Sequence, residues 1–307
     1  MKKIFLLTII IILIPVLIIG FSKSEDIINK IKYGSYNNKV IKVKRTATGQ
    51  IVSVPLEEYV VGVVAGEMPV SFNIEALKAQ AVAARTYVLK KTNASNKEYD
   101  VEDGTVNQVY LDYNDMKKKW QKDYETNLDK VKEAVKATKG EVILYKNDLI
   151  DAMFFSTSNG YTENSGDVFS SELPYLVSVS SSWDKAESPV FNTVTEVSKK
   201  EFLFNLGLGE SDDIAISNVE KTNTGRVKSI TINNKNFKSS EIRSAFSLRS
   251  TSFTIELTED KVKFNVSGFG HGVGMSQYGA NGMAKEGYKH QDILKYYYKN
   301  CEVKKVF

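Results

Sequence analysis

One cysteine and two histidines in 307 residues leave little material for metal or redox chemistry. Cys301 has no second thiol to bridge to, so an intrachain disulfide is excluded. It falls in an expected last strand and reads as a small core residue rather than a reactive thiol. The Cys and His supply is too small for a bound catalytic metal, and no cofactor is expected. The excess of positive charge is also small: the net value is +4, and the Lys and Arg residues are scattered rather than gathered in a stripe. That excludes a nucleic-acid groove. There is no internal repeat. The glycines near the C-terminus lack the strand-Gly-x-Gly-x-x-Gly-helix order of a nucleotide site.

What is present begins with Lys2-Lys3 and an uncharged apolar run from Ile4 to Phe21. That run is long enough to span a membrane. Ile18-Ile19-Gly20-Phe21-Ser22 is a poor cleavage site, so a cleaved signal peptide is the lesser reading. Residues 1–23 are expected to be an uncleaved signal-anchor, with Lys2 and Lys3 inside and the rest extracytoplasmic. Residues 24–39 read as a polar linker. The remaining length admits one large or two ordinary domains.

The chain is organised around Gly66-Glu67-Met68-Pro69. Ser53 or Pro55 opens a short helix, proline being tolerated in a first turn. Tyr59, Val60, Val63 and Val64 share one apolar face. Gly66 and Pro69 are expected to stop the helix, leaving Glu67 at its C-terminus among apolar neighbours. Burial and the negative end of a helix dipole both favour the protonated acid. A carboxylic acid held neutral near pH 7 is what general acid catalysis requires. A second, Ala-rich helix spans Ile74 to Leu89. Lys78 and Arg85 lie two turns apart on it, either as a solvated face or as a cationic wall beside Glu67.

Elsewhere the pattern is mixed. Val40 to Val54 reads as two strands around the turn Thr46–Gln50. Asp115 to Thr138 reads as one amphipathic helix with Trp120, Tyr124, Leu128, Val131 and Val135 on one face. Gly140–Tyr145 and Leu149–Phe155 form a hairpin around Lys146-Asn147-Asp148, whose second strand delivers Ser156, Thr157 and Ser158 into a loop. Ser178 to Pro189 reads as an extended connection. Then come a helix from Val197 to Leu208 with Ser198 as N-cap and strands at Ile214–Ile216 and Val227–Ile232. A helix follows at Ser239–Phe246 and a strand at Phe253–Leu257. Ala280–Glu286 and His290–Tyr298 are helical. The expected fold class is α+β: a mixed core domain over 40–190 and 261–307, with a smaller α+β domain over 191–260 inserted before the last glycine-rich stretch.

Three stretches carry a family resemblance: the run through Glu67 and its following helix, Ser156–Ser165, and Gly268–Ala280 with its Gly-Phe-Gly-His-Gly-Val-Gly core. Together they resemble the sporulation protein D / amidase-enhancer family of bacterial cell-wall proteins. The resemblance implies a lytic transglycosylase that cleaves the bond between N-acetylmuramic acid and N-acetylglucosamine in peptide-stripped glycan strands. It places the catalytic glutamate at Glu67. Such an enzyme can work with one carboxylate, whereas most glycosidases need two; Glu163 or Asp167 would bring hydrolysis back only by facing Glu67. Lys78, Gln80, Arg85, Ser156, Ser158, Asn159, Tyr161, Gln277 and Tyr278 are the candidate substrate contacts. Arg85 offers the better fork for a muramyl carboxylate. His271 either joins the site or braces the loop between Gly270 and Gly272.

The resemblance also implies a place in the mother-cell membrane facing the septal wall, acting in engulfment beside a partner amidase and a membrane protein of that machinery. Oligomeric state is left open, a homodimer included. The alternative reading is a non-catalytic glycan-binding module that activates the amidase; a secreted spore-germination hydrolase is weaker. Relatives resembling this chain carry Cys or His ligands between Asn93 and Tyr113, some of them for zinc. Here the stretch offers Glu102, Val106 and Asn107 instead, and no soft or imidazole set remains. Glycan cleavage by this chain is therefore expected to survive EDTA; a loss restored by added zinc would overturn that expectation.

Overall fold

The structure is a computed structural model that describes residues 28, 32–94, 98–209 and 213–307. The apolar run from Ile4 to Phe21 lies outside these residues. Among the described residues no helix is long and apolar enough to cross a membrane. The fold is mixed α and β, and among the described residues the strands form five small sheets, none wider than three strands.

Strands β1 (Val40–Lys44) and β2 (Ile51–Pro55) pair antiparallel, Val40 opposite Pro55. Helix α1 (Leu56–Glu67) follows directly. Apolar side chains are buried on most of its circumference, which makes it a central rather than a surface helix. Gly66 does not stop it. The helix runs through Gly66 to Glu67 and ends at extended Met68, before Pro69. Gly62 and Gly66 serve a different purpose. A Cβ on Gly62 would sit 2.3 Å from the Tyr110 ring, and one on Gly66 would sit 2.6 Å from the Val109 carbonyl. The two glycines, one turn apart, let the 108–111 loop lie against the helix. β3 (Val101–Glu102), just before that loop, pairs parallel with β1.

Helix α2 (Ile74–Ala94) runs five residues past its expected end. Ala76, Ala79, Ala81, Ala83 and Ala84 on it are buried. The region expected as one helix from Asp115 to Thr138 is two, α3 (Tyr113–Trp120) and α4 (Tyr124–Ala137). Gln121, with φ 48°, adopts the left-handed conformation and ends the first. Asp112 and Asp115 form a capping box at the start of α3. The hairpin after them is narrower than expected. β4 (Glu141–Tyr145) and β5 (Asp148–Leu149) turn on Lys146 and Asn147 alone, both with positive φ, so Asp148 belongs to the strand. The expected second strand is divided. β6 (Phe154–Phe155) leaves that sheet and pairs parallel with Met275–Ser276.

The stretch expected as an extended connection contains helix α5 (Trp183–Glu187). β7 (Asn192–Ser198) takes Val197 and Ser198 out of the expected helix. The helix is α6 (Lys199–Asn205), capped by Ser198 accepting from the Glu201 N–H. β8 (Ile216–Lys221), β9 (Val227–Ile232) and β10 (Lys235–Lys238) form a meander, with β8 starting where the expected strand ended. Helix α7 (Ser239–Ala245) follows, and β11 (Phe253–Leu257) and β12 (Lys261–Ser267) join β7 in a third sheet. These elements bury their own cluster, centred on Phe202, Phe246, Phe253 and Phe264. After β13 (Met275–Ser276), helix α8 begins at Gln277 rather than Ala280 and runs to Lys285. α9 (His290–Tyr297) and β14 (Glu302–Lys305) close the first cluster, with β14 pairing with β4.

Helix α2 packs against α1, α4, α8 and α9. Arg85 ties it to α1. Its side chain is fully buried, and its Nε and Nη2 reach Glu57 Oε1 and Oε2 at 2.9 and 2.6 Å. Nη1 also donates to the Glu141 carbonyl at 3.2 Å. Removing one partner of a buried pair costs about 3–5 kcal/mol. Glu57 is partly open to solvent, so the lower figure applies. Arg85→Ala is expected to lower stability by about 3 kcal/mol in denaturant unfolding; an unchanged unfolding midpoint would contradict this core role.

Candidate active site

Glu67 ends α1 half-buried. The close approach at Gly62 and Gly66 presents the Val109 N–H, which donates to Glu67 Oε1 at 2.7 Å. Burial pushes the Glu67 carboxyl above its ordinary range. The Val109 N–H, a hydrogen bond from the Gln277 amide and the nearby Lys119 charge offset part of that rise. Lys119 lies on α3, with its Nζ donating to the Ala65 carbonyl at 2.8 Å. Burial in turn lowers the Lys119 ammonium, and the Glu67 charge opposes that shift.

The opposite wall comes from the far end of the sequence. Gln277 is the first residue of α8, and its Nε2 also reaches Gln80 Oε1 on α2 at 3.4 Å. Gln80 Nε2 is buried without a hydrogen-bond partner. Tyr278 follows, half-buried, its ring edge-on to Phe72 at 4.9 Å. Gln277 therefore links Glu67 to Gln80, with Tyr278 beside it packed on Phe72 and the Lys119 charge near Glu67. Position 80 carries a buried amide on the α2 face turned to α8, and position 277 opens α8.

Other expected residues lie elsewhere. Lys78 and Arg85 do share a face of α2, but Lys78 is about 200° and Arg85 about 140° around the helix from Gln80. Lys78 pairs with Glu75 at 2.8 Å, and Glu75 in turn meets His290. Arg85 pairs with Glu57, ten residues and about 15 Å before Glu67 along α1. Neither forms a cationic wall beside Glu67. Ser158 is buried; its N–H donates to Asp184 Oδ1 at 2.9 Å and its Oγ to the Ser181 carbonyl. The Asn159 amide donates to the Thr224 carbonyl and Ser252 Oγ. Ser156 accepts the Tyr278 N–H on its carbonyl at 3.1 Å. Tyr161 is 52% exposed and offers a free ring face.

His271 accepts the Val273 N–H on Nδ1 at 3.0 Å and hydrogen-bonds the Phe154 backbone. It touches the rings of Phe155 and Phe169. Burial and the charges of Arg226 and Arg243 hold its imidazole down at about 4, so it is neutral at working pH. These contacts brace the glycine-rich loop. Glu163 is buried and lies 3.4 Å from Arg226 Nε, with its carboxyl pushed up to about 7 chiefly by burial. Its carboxyl is engaged by Arg226 and Thr222, and Asp167 by Lys228 and Asn164, so neither is the partner of Glu67.

Two features seat Gln277. Gly274, with φ 82°, lies where a Cβ would be 2.0 Å from the Met153 carbonyl. β13 can thereby pair with β6 and accept no larger residue. Below it, buried Asp184 accepts from the Ser158 N–H, the Ser181 hydroxyl and the Ser276 hydroxyl. Ser276 is the N-cap of α8. Asp184, Arg226 and Lys119 escaped the sequence reading; Asp184 sits between Trp183 and Lys185 in a short stretch of mixed polarity, Arg226 follows the polar turn Thr222–Gly225, and Lys119 lies in a lysine run resembling a solvated face.

Among the described residues no cluster of three or more His, Cys, Asp or Glu side chains is arranged to hold a metal ion. The stretch around Asn107 is engaged internally. Asn107 accepts the Glu102 N–H and donates to the Tyr87 hydroxyl, and Gln108 accepts from Tyr59.

A family model described as stage II sporulation protein matches residues 44–145, and a domain of unknown function matches residues 210–274. Stage II sporulation protein D of Bacillus subtilis (strain 168) is 44% identical over 270 residues, covering 86% of this chain and 78% of that protein. The Bacillus amyloliquefaciens protein of the same name is 42% identical over 269 residues, with the same coverage of 86% and 78%. A Bacillus subtilis (strain 168) protein named Amidase enhancer is 32% identical over 292 residues, covering 77% of this chain and 39% of that protein.

Asp184→Ala would leave three buried donors without an acceptor, at about 1–3 kcal/mol each. It is expected to cost at least about 3 kcal/mol. Asp184→Asn, which keeps one acceptor oxygen and faces a hydroxyl that can rotate, should lose less. Urea unfolding of the two variants checks the order, and equal losses would contradict it.

Proposed function

The chain belongs to the family of stage II sporulation protein D, and from that membership we propose that it is a lytic transglycosylase of the bacterial wall with Glu67 as its one catalytic carboxyl. The observation that carries the reading is the Glu67 carboxyl itself, held toward its protonated form by burial and aligned by Val109 and Gln277. Protonated Glu67 gives its proton to the oxygen linking N-acetylmuramic acid to N-acetylglucosamine, and the bond from that oxygen to the anomeric carbon breaks. The carboxylate then accepts the proton of the muramyl 6-hydroxyl as this oxygen bonds the anomeric carbon. A 1,6-anhydro sugar results, no water is consumed, and Glu67 ends protonated for the next turnover. Gln80 and Gln277 are suited to hydrogen-bond hydroxyl and acetamido groups beside it, and the Tyr278 ring to flank a sugar. Tyr161 would add a second ring from the exposed loop.

The uncharged run from Ile4 to Phe21 supports a membrane-anchored enzyme facing the wall. Family membership supports work in sporulation, in septal wall remodelling during engulfment, beside a cell-wall amidase and a membrane protein of that machinery. The relative named Amidase enhancer favours a second reading, in which the same residues bind glycan without cutting it and the protein activates an amidase.

Glu67→Gln separates the two. Gln keeps one acceptor oxygen for the Val109 N–H but carries no transferable proton, and loss of a general acid costs roughly 10²–10⁴-fold. Mass spectrometry of digested glycan is expected to show anhydro ends with the native chain and none above background with the variant. Anhydro ends from neither protein would favour the enhancer reading, and equal yields from both would move the catalytic role off Glu67. The pH dependence has a defined sign. Glu67 has a raised folded-state pKa, so its contribution to stability is complete below 4.5 and lost as pH rises through the folded value. Activity is expected to fall on that same alkaline limb, and Glu67→Gln is expected to be no less stable than the native chain at pH 7.

A further inference from the structure

The largest cavity among those described lies away from Glu67. It encloses about 660 Å³ and is lined from β9, α7, the glycine-rich loop and the 167–169 turn. None of Glu67, Gln80, Lys119 or Gln277 lines it. Four cations do: Arg226, Lys228, Lys238 and Arg243, against the single carboxylate of Asp167. Asp167 is taken by Lys228 at 2.8 Å. Arg243 donates from Nε to the Leu248 carbonyl at 3.2 Å, and among the described residues no acid pairs with it. The Lys238 backbone N–H donates to Glu241, but among the described residues its ammonium likewise has no acidic partner.

Arg226 is the most unusual of the four. It is 1% exposed, and beyond the Nη1 bond to the Gly270 carbonyl its Nε and Nη2 have no hydrogen-bond partner. Glu163 lies 3.4 Å from Nε, and burial pushes its carboxyl up to about 7, so it balances the guanidinium less fully than an ordinary carboxylate would. The buried guanidinium is only partly balanced. A buried donor without an acceptor costs stability unless something occupies the space beside it.

We propose that this cavity binds an acidic amino sugar through its carboxylate, with Arg243 as the principal partner, Arg226 behind it, and the Phe169 ring against the sugar. A guanidinium fork matches a carboxylate in two parallel hydrogen bonds. The volume suits one substituted sugar ring. Ser240 and Ser244 supply hydroxyls for its polar edge, and Phe169, 38% exposed, supplies an apolar surface. A neutral sugar would leave the arginines unbalanced. The choice of a muramyl sugar among acidic sugars rests on the proposed function. On that reading the cavity is a second contact for the same strand, reached by one continuous stretch of chain from His271 to Gln277. The positive surface that Lys78 and Arg85 do not provide is found here.

His271 lines the cavity and is one of only two histidines, so its imidazole signal reports occupancy in the histidine-labelled full chain. The probes are N-acetylmuramic acid, N-acetylglucosamine and inorganic phosphate, each titrated by NMR. N-acetylmuramic acid is expected to shift the His271 signal saturably and raise its pKa, because a bound carboxylate offsets the arginine charges. N-acetylglucosamine, lacking the carboxylate, should leave it in place. Arg243→Ala should weaken the response at least tenfold, and Lys238→Ala by less. No saturable shift, an equal shift with N-acetylglucosamine, or an unchanged response in both variants would overturn the proposal. A response to phosphate without one to N-acetylmuramic acid would overturn it in favour of a phosphate site. A monosaccharide has no glycosidic bond to cleave, so this result stands apart from whether glycan strands yield anhydro ends.

Discussion

The carboxylate of Asp184 is the point on which the site's geometry depends. It is buried, yet its oxygens accept one backbone N–H and two hydroxyls, each from a different part of the chain. Ser158 lies three residues past β6, Ser181 two residues before α5, and Ser276 caps α8. The arrangement tolerates no crowding. A Cβ on Gly279 would lie 2.1 Å from the Tyr297 hydroxyl and 2.7 Å from Asp184 Oδ2. One acid thus fixes where α8 starts and where the amide of Gln277 stands opposite Glu67.

A second buried charge does the same work from the other side. Arg226, just before β9, reaches across to the Gly270 carbonyl, and a Cβ on Gly272 would sit 2.7 Å from its guanidinium. The glycine at 272 is therefore a consequence of the arginine beneath it. Glu163 pairs with the same arginine, and its N–H donates to the Gly272 carbonyl at 2.8 Å. The Ser156–Ser165 and Gly268–Ala280 stretches are thus joined through a residue that belongs to neither. This explains how elements with their own hydrophobic cluster bear on a loop that belongs to the first.

The position of Glu67 was legible because a strongly apolar helix with an acid before Met-Pro leaves few alternatives. The β1–β2 hairpin, α7, β9 and β11 were legible from local pattern alone. The break at Gln121 was not, since a left-handed glutamine has no local signature. Helix α5 was hidden in five residues of mixed polarity, and Asp184 with it. Lys78 and Arg85 show the limit of helical spacing. Their common face was correctly inferred, but spacing does not say which face of α2 meets α8. That is decided by residues about two hundred positions away, Gln277 among them. The turn of Val109 onto Glu67 was equally out of reach, because the glycines that permit it look like helix breakers.

Burial alone does not distinguish an acid that works from one that braces. Burial raises both Glu67 and Asp184. The difference lies in their donors. Asp184 is surrounded by an amide and hydroxyls fixed in the core, with its nearest neighbours fully enclosed. A proton placed there has no route out and no acceptor to reach. Glu67 has one backbone donor, one side-chain amide and a lysine whose own charge is weakened by burial. It also keeps part of its surface open at the end of its helix. A proton on Glu67 competes with fewer hydrogen bonds and faces a side from which a ligand can approach. The bracing acid is the well-solvated one, solvated by protein, while Glu67, the acid of the proposed chemistry, is left partly short of donors.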